Sequence, residues 1–273
     1  MRVIALVTSV VLNLLLLVRR LYQLVLGENL LHIDNCNARY HRRTCQLHYY
    51  PLLLLLLSLT TGLVDAASVL GLGKVFTANM TGNIVFLGFA LAGAPGFVVA
   101  PGLMALVTFM AGALVAGRLG RSMGGRPLRR WLLTAAFFEV ALLWGAAAIA
   151  LCFDVADQAP QWALYAIIAA TAIAMGFRNA TIRQLKVPDL TTTVLTLTIT
   201  GIAADSSLAG GGNLNWGRRI GSVAAILGGA ALGALLVVRT GSLVMPLILA
   251  GALVLVGTAF CAVHPGALEP AKS

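Results

Sequence analysis

Charge is scarce in this chain. Only 10% of its residues are charged, with 9 acids against 19 bases. A soluble domain carries about 25% charged residues, so an ordinary hydrated globule is excluded. His and Cys number 4 each. His32, His41 and His48 all precede residue 50, which leaves His264 alone in the rest of the chain. There is no HExxH, no Ser-His-Asp set and no paired-acid arrangement, so the sequence reads as a non-enzyme with no cofactor or metal implied. Cys36 and Cys45 share the polar N-terminal stretch with the three histidines, but the spacing matches no zinc pattern. A disulfide there stays open if that stretch lies outside the cytoplasm. Cys152 and Cys261 sit in apolar spans and read as packing residues.

What is abundant is apolar surface: 59% of residues are hydrophobic and mean hydropathy is +0.93. Several runs reach the roughly 20 residues that cross a hydrocarbon core of about 30 Å. The fold class is therefore all-α, a polytopic transmembrane bundle of about eight spans, with six to nine compatible. The spans read as 51–71, 76–94, 97–117, 131–153, 160–178, 189–209, 219–238 and 242–263. Gly and Pro mark the joins, as at Ala94-Pro-Gly96, Gly124-Gly-Arg-Pro127 and Gly210-Gly-Gly212. Trp131, Trp162, Tyr165 and Trp216 fall near span ends, where interfacial aromatics belong.

The net charge of +10 raises nucleic-acid binding as a reading, but its distribution argues against it. Arg118, Arg121, Arg126, Arg129 and Arg130 share one short loop, and Arg178, Arg183 and Lys186 another. That is the pattern of cytoplasmic loops under the positive-inside rule. A cytoplasmic 118–130 loop then carries 74, 178–186 and 239 to the same side, with 95–96 and 154–159 opposite. Arg218-Arg219 and the basic N-terminal segment dissent from this scheme.

Residues 1–50 form an N-terminal extension that differs from the 51–263 transmembrane domain and the polar 264–273 tail. Val3 to Val18 reads as a signal-like core, as an extra short span, or as a stretch preceding the true start. All three remain open. Within the transmembrane domain two halves, about 51–153 and 160–263, share a faint repeat. Gly62-Leu-Val-Asp-Ala66 matches Gly176-Phe-Arg-Asn-Ala180, 114 residues on, and Thr77 matches Thr191. Four spans per half would make the two halves parallel.

The candidate chemistry lies in polar residues placed inside apolar spans, where such groups are expensive and usually functional. Asp65 ends the first span and reads as a solute or cation contact, as a helix cap, or as a partner of Arg178. Asn79, Thr81 and Asn83 interrupt the second span around Gly82. In the other half Asn179, with Arg178 beside it, stands at the repeat position of Asp65, and Thr192, Thr196 and Thr200 share a helix face at i, i+4 spacing. Glu139, in the middle of the fourth span, is the proton-coupling candidate; the bland alternative is a hydrogen bond across a helix interface. The same alternative applies to the Thr and Asn residues, which could serve only to join helices.

The Gly-x-x-Asp-Ala turn at 62–66, Thr81-Gly-Asn83 after Phe76, and Asn179-Ala180 followed by the Thr191–Gly201 segment together resemble the YoaK family. It is a bacterial integral membrane family whose domain is of unknown function. The resemblance covers about 51–263 and implies a bacterial inner-membrane protein, with no activity attached. Residues 1–50 lie outside it, and the second half lacks a second Thr-Gly-Asn. The expected function is a small-solute or ion secondary transporter with a polar mid-membrane site. The alternative is a non-transporting scaffold or partner-binding protein that uses the 118–130 loop. Expected partners are the lipid bilayer and a small solute or ion, with no nucleic acid; a homo-oligomer is compatible.

Overall fold

A computed structural model describes residues 38–123, 127–184, 195–213 and 215–262, with backbone only for 38–52 and 54. Among the described residues there are eight α-helices and no strand. They are α1 (Ala38–Gly71), α2 (Met80–Leu91), α3 (Val99–Ser122), α4 (Leu128–Ile149), α5 (Gln161–Gln184), α6 (Leu195–Ala204), α7 (Trp216–Thr240) and α8 (Val244–Ala262). Helix α1 runs unbroken across the 50/51 boundary expected between extension and bundle. Backbone polar groups have no water partners in a bilayer, so a chain this apolar satisfies them within helices.

Helices α3, α4, α5, α7 and α8 are each long and apolar enough to cross a membrane. Helix α1 runs beside α7 through the same depth. Leu55 meets Gly221 near one end, and Leu243, just beyond α7, meets Gly71 at the other. Outward-facing residues such as Phe137, Leu151, Leu227 and Val238 are apolar and exposed, as a lipid-facing surface requires. The core holds Leu63, Leu143, Ile167, Ile168 and Leu253, none of them measurably exposed.

Two of the expected spans differ. The 76–94 segment forms only the 12-residue α2, about 18 Å long at 1.5 Å per residue and too short for a core of about 30 Å. The 189–209 segment contributes α6, of 10 residues, and its residues 189–194 lie outside the described ones. Neither segment carries the chain across. Gly73 and Lys74, at φ +79° and +59°, reverse the chain after α1. Lys74 Nζ then stands 4.8 Å from the Phe97 ring centroid, so α2 leaves and returns at one end of the bundle. Gly73 also faces Gln158. At the other end Gln184 donates to the Gly117 carbonyl at 3.3 Å. Arg219, at the start of α7, donates to Gly201 and Asp205 beyond the middle of α6 at 2.7 and 2.6 Å.

The expected side assignment changes accordingly. Lys74, 95–97, 154–160 and Arg239 share one end. Arg118, Arg121, Arg129, Arg130, Arg183, Arg218 and Arg219 share the other, called here the arginine end. The expectation failed because it counted two crossings that do not occur, and Arg218-Arg219 no longer dissent. Each half now holds three long helices, so α1 and α5 run antiparallel, where the sequence reading had made them parallel.

Helix contacts pair off between the halves. α1 lies on α7 as α5 lies on α3; α4 meets α8; α4 meets α5 as α8 meets α1; α2 covers α3 as α6 covers α7. The close approaches repeat as well. A Cβ on Gly62 would fall on the Ile226 carbonyl and one on Gly176 on that of Phe109, while Gly229 abuts Leu59 and Gly112 abuts Ile173. The step of 114 residues that relates Gly62 to Gly176 also relates Leu59 to Ile173.

Candidate functional site

Between α1 and α2 the chain is unwound, and its freed backbone groups are taken up by the side chains that the sequence singled out. Asp65 Oδ1 accepts from the N–H groups of Thr77 and Ala78 at 3.1 and 2.8 Å. This folds the segment after α1 back to a point about a turn and a half below the helix end. Asn83 is fully buried and grips Phe76 twice: Oδ1 accepts its N–H at 2.9 Å, and Nδ2 donates to its carbonyl at 2.6 Å. Asn79 caps α2, its Oδ1 accepting from the Gly82 N–H at 3.2 Å. Gly82 lies so close to the Phe76 ring that a Cβ there would come within 2.7 Å of it.

Asn83→Ala would strip partners from both backbone groups of Phe76 in a segment that has no helix to fall back on. A loss of about 1–3 kcal/mol is expected for buried groups left unpaired. Thermal unfolding of the purified variant in detergent checks this.

Beside this unwound segment lies an open cavity of about 490 Å³. Thr61 and Asp65 line it from α1, Asn79, Thr81, Gly82 and Phe86 from the start of α2, Leu195 and Thr196 from α6, and Ile226 from α7, with Phe76 completing it. The short helix α2 rises from the cavity toward one end of the bundle, and α6 leaves it toward the arginine end. Polar residues from both halves of the sequence thus meet at one place.

A second polar cluster lies deeper and is sealed. Arg178 Nε donates to Glu139 Oε1 at 2.8 Å, and Arg178 Nη2 closes a further bond to the same oxygen. Arg178 Nη1 donates to the Leu57 carbonyl and to Thr61 Oγ1, both at 3.0 Å. Arg178 and Glu139 are only 3% and 4% exposed, too little for a solute contact. The Phe138 and Phe177 rings, on the neighbouring positions, lie tilted against each other with centroids 4.5 Å apart. The cation therefore ties α1, α4 and α5 together.

The predicted site residues divide into groups. Asp65, Asn79, Thr81 and Thr196 line the cavity. Asn83 sits behind it as backbone support. Arg178 pairs with Glu139 and not with Asp65, which the sequence reading had proposed. Asn179 donates to Met175 in its own helix at 2.9 Å. Thr200 is exposed on α6 and does not line the cavity. Thr192 lies outside the described residues, as do Cys36 and His32. Sequence reading missed Thr61, Phe76 and Phe86. Thr61 had a usable signal, since it stands four residues before Asp65 on the same helical face. The two rings had none.

Residues 53–260 match a family model described as a protein of unknown function, DUF1275. The UPF0700 transmembrane protein YoaK of Bacillus subtilis (strain 168) is 32% identical over 163 residues, covering 58% of this chain and 68% of that protein. No solved structure matches.

Proposed function

This chain belongs to the DUF1275 family of membrane proteins, and from its geometry we propose a non-enzymatic carrier for a small solute, built as two inverted halves. The carrying observation is the cavity where α2 and α6 meet, lined by Asp65, Asn79 and Thr81 from one half and Thr196 from the other. Discontinuous helices that end at the bilayer midplane, between inverted repeats, are how secondary carriers expose polar groups to a solute. The mirrored contacts of α1 with α7 and α5 with α3 supply surfaces on which the halves could rock about that cavity. The arginine end faces the cytoplasm of the bacterial inner membrane, because that end gathers most of the described bases.

A scaffold is the second reading, favoured by one observation. Asp65, Asn79 and Asn83 all bond to nearby backbone, as they would if holding the unwound segment were their whole task. Asp65→Asn separates the two readings. The amide keeps an oxygen for Thr77 and Ala78, so the variant should unfold within about 1 kcal/mol of the wild type. In reconstituted vesicles preloaded with a cytosolic extract, exchange of the transported solute should fall at least tenfold. Unchanged exchange in a folded variant would refute a site at Asp65.

A further inference from the structure

Resting on that carrier reading, we infer that the cavity takes a small monovalent cation, of the alkylammonium kind and not a bare alkali ion. The sign follows from which charges face the space. Arg178 hydrogen-bonds Thr61 on the cavity wall, yet it is buried and its charge is met by Glu139. Asp65 is the one formally charged side chain among the described residues lining the cavity. Its Oδ1 is committed to Thr77 and Ala78, while Asp65 itself remains partly exposed toward the cavity. The start of α2 offers an opposing field, equivalent to about half a positive charge at a helix N-terminus. A full negative charge outweighs it, so a cation is favoured over an anion.

The remaining lining fits an organic cation. Thr81 and Thr196 present hydroxyl oxygens that can accept from an ammonium N–H. Phe76 and Phe86 border the same space, their rings stacked at 5.6 Å. The stacked pair gives the carbon atoms of an organic cation an apolar wall, whereas a bare alkali ion would need a fuller shell of oxygens. At about 490 Å³ the cavity has room for several carbon atoms. Among the described residues the second half places no charge on the cavity, and Asn179 stands where Asp65 does in the first. One carboxylate then fixes a charge of one.

The test uses the full chain purified in detergent at mildly alkaline pH. The thermal midpoint is followed against ethylammonium chloride, sodium chloride, potassium chloride, sodium acetate and the neutral alcohol 1-propanol, in the wild type and in Asp65→Asn. Ethylammonium should raise the wild-type midpoint saturably, at a half-maximal concentration at least tenfold below that for Na+ or K+. Asp65→Asn should lose that response. A larger shift with Na+ or K+ overturns the alkylammonium assignment. An equal response in Asp65→Asn, or a saturable shift with acetate or 1-propanol in place of ethylammonium, overturns the cation inference and leaves a carrier of another solute standing. No shift with any solute, joined to a cavity that reagents reach from neither side, removes both. Should Asp65→Asn not fold, the wild-type contrast between ethylammonium and 1-propanol decides, and equal curves overturn the inference.

Discussion

Arg178→Ala is expected to cost about 3–5 kcal/mol, because it leaves Glu139 buried and uncompensated. Membrane-inserted, folded protein should fall sharply, since total stabilities of 5–15 kcal/mol leave little margin. Glu139→Gln should fail in the same direction, stranding the guanidinium that also holds Leu57 and Thr61. The paired change Arg178→Met with Glu139→Leu should recover most of the loss, because both desolvation costs disappear together. Unfolding in graded denaturing detergent, read on all four proteins, measures this. A proton-coupling Glu139 would behave otherwise: Glu139→Gln would fold normally and lose only transport.

The second large effect is steric. Gly62→Ala places a methyl on the Ile226 carbonyl, and Gly176→Ala places one on that of Phe109. Both obstacles are backbone, so the helices must separate, and each substitution should cost about 3 kcal/mol or more, at the upper end of overpacking losses. Because the two contacts are counterparts, the two losses should be similar. Gly88 and Gly145 meet nothing within 4 Å, and Gly→Ala there should be neutral or stabilising by up to about 1 kcal/mol. Large losses at 62 and 176 beside neutral changes at 88 and 145 would establish that small residues set the α1–α7 and α3–α5 distances. Equal tolerance at all four would remove that account.

The helical membrane class was legible because composition alone decides it. Asp65, Asn79, Thr81 and Thr196, which line the cavity, stood out as candidates because a polar group inside an apolar run is conspicuous at any depth. Depth itself was not legible. Hydropathy scores 76–94 as a span, and only the hydrogen bonds from Thr77 and Ala78 to Asp65 show that the chain turns back. That misreading moved Lys74 to the wrong end and made the halves parallel, and the same misreading of 189–209 moved Arg239. Arg218-Arg219, which refused the expected scheme, were the available warning. The Arg178–Glu139 pair joins residues 39 apart on different helices, and no periodicity reports such a contact. Asn83 looked like a ligand because its partner, the Phe76 backbone, is invisible in a sequence.

The central claim is that the cavity between α2 and α6 is reached by solute from both sides of the membrane. Its most direct test is labelling of Thr81→Cys and Thr196→Cys by a membrane-impermeant maleimide. The variants carry no other cysteine and sit in sealed vesicles of either orientation. The account predicts that each cysteine reacts from both faces, with the balance shifting when solute is present. A folded protein whose cysteines react from neither face would show a sealed polar seam that only joins helices, and would contradict the carrier.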